Sequence, residues 1–172
     1  MHIKEHFKSC PKCKSDAIQF DKKHFVCSNC GFDLYINASA AVAVLITNQQ
    51  GELLLTVRKF DPFKGTYDLP GGFVDINETV EDAAIREIKE ELNLDIISLE
   101  YFCSFPNTYT YKEVDYYTLD MVFKAQIKDF SPLQANDDVS SIEFISPKKI
   151  DTTTIGLTSI KAIVSKYIES VR

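Results

Sequence analysis

The chain contains 172 residues, of which 45% are hydrophobic and 26% are charged, and its formal net charge at pH 7 is −6. This length and composition allow the chain to bury its own core, so we expect one full-sized domain with a small appendage. The surplus of acidic residues disfavours a nonspecific nucleic-acid-binding protein, because phosphate backbones attract Lys and Arg. The charged N-terminus and the lack of a run of about 18 apolar residues predict a cytoplasmic protein with neither a signal peptide nor a membrane span.

Four of the five cysteines form two CxxC pairs near the N-terminus. They are Cys10 and Cys13 in "CPKC", and Cys27 and Cys30 in "CSNC". Each CxxC turn directs two thiolates at one ion, and this spacing is typical of a zinc ribbon with a closed tetrahedral site. Disulfide bonds are the alternative, but they suit a secreted chain, which this N-terminus does not resemble. The sequence therefore predicts a structural Zn²⁺ in a zinc ribbon at residues 1–34.

The next segment predicts strands and then a long loop. The apolar runs 39–47 and 52–57 flank the polar "NQQG", which predicts a hairpin of two strands. Residues 58–77 contain two prolines and three glycines, so we expect mostly loop, with a short strand around Phe73 and Val74.

A helix follows this loop, with recognisable signals at both ends. Thr79 is a candidate N-cap, and Asn93 can adopt the left-handed conformation that ends a helix. At 100° per residue, one arc of the helix is apolar and is expected to face the core. Its members are Ala84, Ile85, Ile88 and Leu92.

Three glutamates fill the adjoining arc of this helix: Glu87, Glu90 and Glu91. Like charges at these spacings cost about 0.2–0.5 kcal/mol per pair, and more beside an apolar core. In one interpretation the glutamates form a solvated face that pairs with Arg86 and Lys89. In the other they bind Mg²⁺ or Mn²⁺, hard cations that prefer oxygen ligands and carry substrate phosphates.

The remaining segments complete an alternating pattern of strands and helices. Cys103 lies in an apolar and aromatic run and is expected to be a packed core thiol. Residues 104–111, "SFPNTYTY", read as a polar and aromatic loop, whereas 116–127 and 141–146 predict strands, the first of them half-buried. Apolar residues spaced by three and four predict an amphipathic closing helix. They are Ile160, Ile163, Val164, Tyr167, Ile168 and Val171.

The segment that begins at Gly72 resembles the Nudix box, G-x5-E-x7-R-E-U-x-E-E-x-G-U, where U is aliphatic. Glu78 and the run "REIKEELNL" match this pattern at every defined position but one. Asn93 stands where the family has glycine, and we expect a small stability cost and no lost chemistry, because Asn also tolerates the left-handed conformation. The resemblance implies an α/β protein with a Nudix α/β/α sandwich and a mixed sheet over residues 38–172.

The Nudix resemblance also implies an activity and a metal site. Nudix hydrolases cleave nucleoside diphosphates linked to another moiety, by attack of water on phosphorus with Mg²⁺ or Mn²⁺. The implied metal ligands and general base come from Glu87, Glu90 and Glu91, with the backbone of Gly71 and an acid from a later loop, Asp137 or Asp138. Arg86 is expected to hold Glu78 in position through an ion pair.

Substrate contacts are expected from two places. Arg58, Lys59 and Lys64 precede the glycine pair and are candidates for phosphate contacts, although loop cations are more often merely solvated. The backbone of Gly72 is expected to approach the diphosphate closely, which a residue without a side chain permits. Phe105, Tyr109 and Tyr111 could stack on a nucleobase, or they could pack between sheet and loop.

A four-cysteine ribbon directly ahead of a Nudix domain resembles the NADH pyrophosphatase group. That group carries S-Q-P-W-P-F-P-x-S after the box, of which this chain shares Ser104 and Pro106. The specificity motif is incomplete, so the resemblance implies a substrate of the ADP-ribose or NAD(H) type rather than NADH alone. Family members are often dimers, and we expect a homodimer.

Two other functions compete with hydrolysis. A Nudix-like regulatory module would bind a nucleotide without cleaving it, but such a sensor has no need for a costly cluster of glutamates. A zinc-ribbon nucleic-acid adaptor would need a basic ribbon face, and the acidic main domain disfavours it. The sequence therefore favours a small-molecule nucleotide as the partner, and neither a membrane nor nucleic acid.

Overall fold

The computed structural model describes residues 5–172, which form two compact units. The first unit comprises the residues up to Ala38 together with Thr108–Tyr117. The second unit comprises Ser39–Asn107 and Thr118–Arg172.

The predicted domain boundaries, 1–34 and 38–172, stay a proposal. Residues 1–4 of the predicted ribbon lie outside the described part of the chain. No helix in the described part has the length and apolar character that a membrane span requires.

The first unit contains a three-stranded antiparallel sheet in the order β1 (Ile18–Asp21), β2 (His24–Cys27) and β3 (Asp33–Tyr35). Phe25 on β2 is fully buried. The rings of Phe7, Phe20 and Phe32 lie 5.2, 6.3 and 6.2 Å from the Phe25 ring. An aromatic cluster of this size is a small core, so a metal site beside it would contribute much of the unit's stability.

The second unit is built on two sheets. In the first sheet, β4 (Ser39–Ile46) pairs in parallel with β8 (Val114–Ile127), and β7 (Ile96–Tyr111) lies on the other side of β8. In the second sheet, β5 (Leu53–Arg58) lies between β6 (Tyr67–Asp68) and β9 (Val139–Ile145), antiparallel to both. The residues 108–117 at the tip of the β7–β8 hairpin are grouped with the first unit.

Two helices cover the opposite faces of β4. Val42, Val44 and Ile46 share an apolar core with α1 (Val80–Leu92). Ala43 and Leu45 point the other way and share a second core with α2 (Thr158–Ser170). The continuous apolar run of β4 follows from this arrangement, because a strand covered on both faces needs no polar side. Short 3-10 turns at Pro147–Lys149 and Thr152–Thr154 precede α2. This arrangement confirms the predicted α/β class with helices on both faces.

The predicted hairpin of 39–47 and 52–57 is wrong, although both strands exist. β4 and β5 belong to different sheets and share one isolated bridge, between Thr47 and Leu53. One edge of β4 pairs with β8, and the other accepts the glycine loop, since Val42 N–H donates to Gly72 O and Val44 N–H donates to Pro70 O. β4 has no free edge left for β5. The predicted short strand around Phe73 and Val74 is a single bridge from Phe73 to Ala41.

Residues 104–111, predicted as a loop, are the second half of β7. The chain reverses at Lys112 and Glu113, both of which have positive φ. The Thr110 hydroxyl donates a hydrogen bond to the Asp115 carboxylate across the hairpin, and the ring of Tyr109 stacks on that of Tyr116. β7 is an edge strand, and an edge tolerates the missing N–H of Pro106.

The other predicted elements are present with smaller corrections. The predicted strands 116–127 and 141–146 lie within or beside β8 and β9, but β8 also buries Thr118 and Asp120, so it is covered on both faces. The closing helix is confirmed, except that it ends at Ser170 and leaves Val171 half exposed. Cys103 is buried in the core beside α2, as predicted.

Candidate active site and candidate metal centre

α1 has the predicted ends. The Thr79 hydroxyl accepts from the N–H of Asp82 at 3.1 Å, and Asn93 closes the helix in the left-handed conformation, with φ 55° and ψ 30°. The predicted core-facing arc is displaced, however. Ile85 is half exposed, whereas Ala83 and Glu91 are buried. At 100° per residue, the buried arc is centred about 50° closer to the glutamates than the apolar pattern predicts.

This displacement places Glu91 inside the protein, where it is 7% exposed. The N–H of Gly71 donates to Glu91 Oε2 at 2.9 Å. The pKa of Glu91 is raised to about 8, chiefly by burial and further by the charges of Glu87, Asp68 and Asp138, while the Gly71 bond lowers it.

Both glycines of the loop meet atoms that leave no space for a side chain. Gly71 has φ +141°, and a Cβ there would lie 2.2 Å from Val42 O. A Cβ on Gly72 would lie 2.5 Å from Glu87 Oε1. The glycine loop therefore lies directly against β4 on one side and against the Glu87 carboxylate on the other.

The guanidinium of Arg86 organises the rest of the acids. It donates to both carboxylate oxygens of Glu78, at 2.8 and 2.9 Å, so the expected ion pair is present with two bonds. It also donates to Glu87 at 2.8 Å and Glu90 at 3.2 Å. The hydrogen bonds from Arg86 lower the pKa of Glu78 to about 2. Burial raises the pKa of Glu87, and the charges of Glu90 and Asp137 raise it further against the effect of Arg86.

The glutamates of α1 are neighbours, but they do not point at one common position. Among residues 5–172, only the four cysteines form a group of three or more His, Cys, Asp or Glu side chains whose ligand atoms lie within 4.8 Å of one another. Arg86 draws Glu87 and Glu90 to one side, while Glu91 faces Gly71. Burial is the main cause of the raised pKa values of Glu87 and Glu91, and the charges of the neighbouring acids raise both further. These acids lie in one region beside the glycine loop, and carboxylate oxygens are the ligand type that a hard divalent cation prefers.

The loop that carries the later acids is fixed beside α1. The N–H of Asn136 donates to Glu91 O at 2.8 Å, and the N–H of Lys59 donates to Asp138 O at 2.9 Å. The charge of Asp137 raises the pKa of Glu87, and the charge of Asp138 raises the pKa of Glu91. The structure thus brings the two later acids into the same acidic region as the helix.

The predicted substrate contacts are dispersed. Arg58 donates to Pro62 O at 2.7 Å and pairs with the buried carboxylate of Asp68 at 2.5 Å, whereas Lys64 is exposed in the loop between β5 and β6. Phe105 is half-buried against the core beside α2, with Lys166 Nζ 5.9 Å from its ring. Tyr109 belongs to the first unit, where its ring stacks on Tyr116 at 5.6 Å.

Sequence reasoning missed several buried polar residues of the second unit. Asp120 accepts from Thr118 Oγ1 at 2.7 Å and from Ser159 Oγ at 2.5 Å. Its charge adds to burial in raising the pKa of Asp68. Asn107 Oδ1 is buried without a hydrogen-bond partner. One feature of the sequence could have indicated this burial: Asp120 is a polar residue inside the apolar strand pattern "TLDMVF".

The four thiols of the first unit have the geometry of a tetrahedral site. Cys10 Sγ lies 3.7 Å from Cys30 Sγ, and Cys13 Sγ lies 3.7 Å from Cys27 Sγ. A tetrahedral Zn²⁺ with bonds of about 2.3 Å separates its sulfurs by about 3.8 Å, whereas a disulfide separates them by about 2.05 Å. The thiols are free in this structure and fit zinc.

Each CxxC pair lies on the same kind of backbone turn. The N–H of Lys14 donates to Cys10 O, and that of Gly31 donates to Cys27 O, both at 2.9 Å. Lys14 and Gly31 both have positive φ, which explains the glycine after the second pair. The Asn29 side chain donates to Cys13 Sγ and lowers the pKa of that thiol, while burial and the three other thiols raise the pKa of Cys30.

Comparison with known proteins gives the same fold. The family model described as "NUDIX domain" matches residues 38–164. A Nudix hydrolase from Nitrosomonas europaea superposes with a TM-score of 0.70 at 22% identity, over 94% of this chain and 90% of that one. This chain therefore belongs to the Nudix family.

Two curated relatives carry more specific names. An ADP-ribose pyrophosphatase from Methanocaldococcus jannaschii is 37% identical over 115 residues, which are 66% of this chain and 64% of the relative. A Pseudomonas aeruginosa protein named NAD-capped RNA hydrolase NudC is 32% identical over 100 residues, which are 58% of this chain and 35% of the relative. The similarity thus spans under two thirds of each relative's length.

Proposed function

We propose that this protein is a Mg²⁺- or Mn²⁺-dependent hydrolase that cleaves the diphosphate bond of a nucleoside diphosphate derivative of the ADP-ribose or NAD(H) type. The observation that carries the proposal is the buried carboxylate of Glu91 beside Glu87 at the glycine loop, in a region where acids outnumber cations. The Nudix membership and the names of the two relatives support the substrate class.

The acids of α1, with Asp138 and the backbone of Gly71, would hold the cation. When bound, the cation polarises the diphosphate and offsets charge on the departing phosphate. Residues of this chain position the acids and leave space for the substrate. Arg86 holds Glu78 and Glu87 beside the glycine loop, and Gly72 has no side chain to exclude a diphosphate.

Hydrolysis requires a proton acceptor at this site. The oxygen of a water molecule forms a bond to phosphorus, the anhydride P–O bond breaks, and the water proton passes to a carboxylate. We assign that carboxylate to the set Glu87, Glu90 and Glu91. The products are two phosphorylated fragments, one of them a nucleoside monophosphate.

The substrate-contact residues stay proposals at this stage. Lys64 is an exposed cation suited to a phosphate contact, whereas the pairing of Arg58 with Asp68 favours a structural role for that arginine. For Phe105, the packing beside α2 favours the core alternative over base stacking.

For the first unit we propose a structural Zn²⁺ bound by Cys10, Cys13, Cys27 and Cys30. Cysteines that bind zinc rather than form disulfides suit a reducing compartment, so we also propose the cytoplasmic location expected from the sequence. The homodimer expected from the Nudix resemblance also stays a proposal.

A substrate panel tests the proposed function. The protein with Mg²⁺ or Mn²⁺ is offered ADP-ribose, NADH, NAD, diadenosine polyphosphates, nucleoside triphosphates and an RNA with a 5′ NAD cap, and the products are separated by chromatography. We expect metal-dependent release of a nucleoside monophosphate from ADP-ribose or NAD(H). Binding of a nucleotide without turnover across the panel would instead support the sensing module.

A further inference from the structure

Asn93 does more than close α1. In the Nudix pattern this position is glycine, which adopts the left-handed conformation without penalty and would serve the backbone equally well. The Asn93 side chain adds a contact that glycine lacks, because Nδ2 donates to Pro132 O at 3.2 Å. This bond joins the end of the metal-site helix to the segment that leads to Asp137 and Asp138.

The segment 132–138 runs along the C-terminal end of α1. The N–H of Gln134 donates to Leu92 O at 3.1 Å, and the N–H of Asn136 donates to Glu91 O at 2.8 Å. Carbonyls in the last turn of a helix lack partners within the helix, so this segment acts as their cap. The loop and the helix are therefore joined at three points: Pro132, Gln134 and Asn136.

The far end of the same segment is held by Lys59. Its N–H donates to Asp138 O at 2.9 Å, and its Nζ donates to Asp137 O at 2.8 Å. These bonds use the backbone carbonyls and leave both carboxylates available. The position of the two carboxylates relative to Glu87 and Glu91 therefore depends on how firmly the segment is held at its two ends.

We propose that Asn93 is a positioning residue for the divalent cation, which holds the segment 132–138 against α1 and so sets the placement of Asp137 and Asp138. The inference rests on the proposed function, in which Asp138 holds one cation together with the glutamates of α1. A neutral hydrogen bond of this type changes an equilibrium by about three- to tenfold. We expect Asn93→Gly to weaken metal affinity by that factor while the left-handed turn is retained.

Mn²⁺ binding to the full chain, followed by electron paramagnetic resonance, tests this without requiring turnover. Asn93→Gly should weaken Mn²⁺ binding about three- to tenfold and speed amide exchange in residues 132–138. The matched control is Asn77→Gly, the same substitution at an exposed residue whose φ is also positive, and it should leave Mn²⁺ affinity unchanged.

A double-mutant cycle separates positioning from general structure. In an Asp137→Asn/Asp138→Asn background the segment has no carboxylate to place, so Asn93→Gly should cause no further loss of Mn²⁺ affinity. Wild-type affinity in Asn93→Gly, or the same loss in both backgrounds, would overturn the inference. Failure of the proposed function shows separately, as a wild-type protein that binds Mn²⁺ and hydrolyses nothing in the panel.

Discussion

The substitution Glu91→Gln should make the metal-free protein more stable at neutral pH, and the gain should grow with pH. Glu91 is buried and its pKa is raised from 4.5 to about 8. Between these values the folded protein keeps the Glu91 proton and the unfolded chain releases it. The unfolded state therefore binds fewer protons, so wild-type stability falls as pH rises from about 4.5 to about 8 and levels off above. The glutamine side chain of the Glu91→Gln variant does not titrate, so the variant does not lose stability in this way.

The size of this effect follows from the shift. A change of about 3.5 pKa units, at 1.36 kcal/mol each, gives a ceiling of about 5 kcal/mol. Urea unfolding in a chelator at several pH values between 5 and 8.5 measures the difference between the two proteins. Glu81→Gln is the matched control, because it removes the same charge from an exposed position in the first turn of the same helix. Because Glu81 is exposed, its substitution should not reproduce the stability gain expected of Glu91→Gln.

Divalent metal should narrow this stability difference between wild type and Glu91→Gln. A ligand that binds only the folded state adds stability as RT ln(1 + [L]/Kd), or about 1.4 kcal/mol at ten times Kd. Millimolar Mg²⁺ should therefore raise the melting temperature of wild type more than that of Glu91→Gln. A pH-independent difference between the metal-free proteins, together with equal stabilisation of both by Mg²⁺, would refute the reasoning.

Gly72→Ala should fold normally and lose most activity, because its Cβ would displace the Glu87 carboxylate, which is the movable end of a side chain. Gly71→Ala should instead lower the melting temperature, because its Cβ would meet the backbone at Val42. Circular dichroism and turnover separate the two, and equal behaviour would contradict the geometry. The purified protein should contain about one zinc per chain that survives mild EDTA treatment while turnover still depends on added Mg²⁺. Cys27→Ser should lose that zinc, and intramolecular disulfides with no zinc after reducing purification would count against the ribbon.

Local signals predicted the ends of α1 and the geometry of the thiols. Thr79 and Asn93 act on neighbouring backbone, and the CxxC pairs act through their own turns, so residues close in sequence suffice. The acids of the box were found by spacing for the same reason. The burial of Glu91 was not predicted, because a helical wheel assigns charged residues to the outside of the protein. Glu91 faces inward because it contacts the glycine loop, which is distant in sequence.

Long-range pairing accounts for the main errors. The sequence between β4 and β5 resembles a hairpin, and the competing partners of β4 lie far along the chain at β8 and at the glycine loop. Residues 104–111 form a strand because β8 pairs with them, despite a proline and an asparagine that favour loops when considered alone. Asn107 and Asp120 could be singled out as polar, but their burial depends on the same pairing.

Hydrolysis of ADP-ribose in water enriched in ¹⁸O, with Mg²⁺, is the most direct test of the central claim. The account predicts that wild type releases AMP and ribose 5-phosphate, with one ¹⁸O atom in the phosphate of one product by mass spectrometry, and that Glu87→Gln releases neither. NAD(H) should be tested in parallel, because the claim covers both substrate types. Recovery of both substrates intact and unlabelled, from a protein that binds them and Mg²⁺, would contradict it.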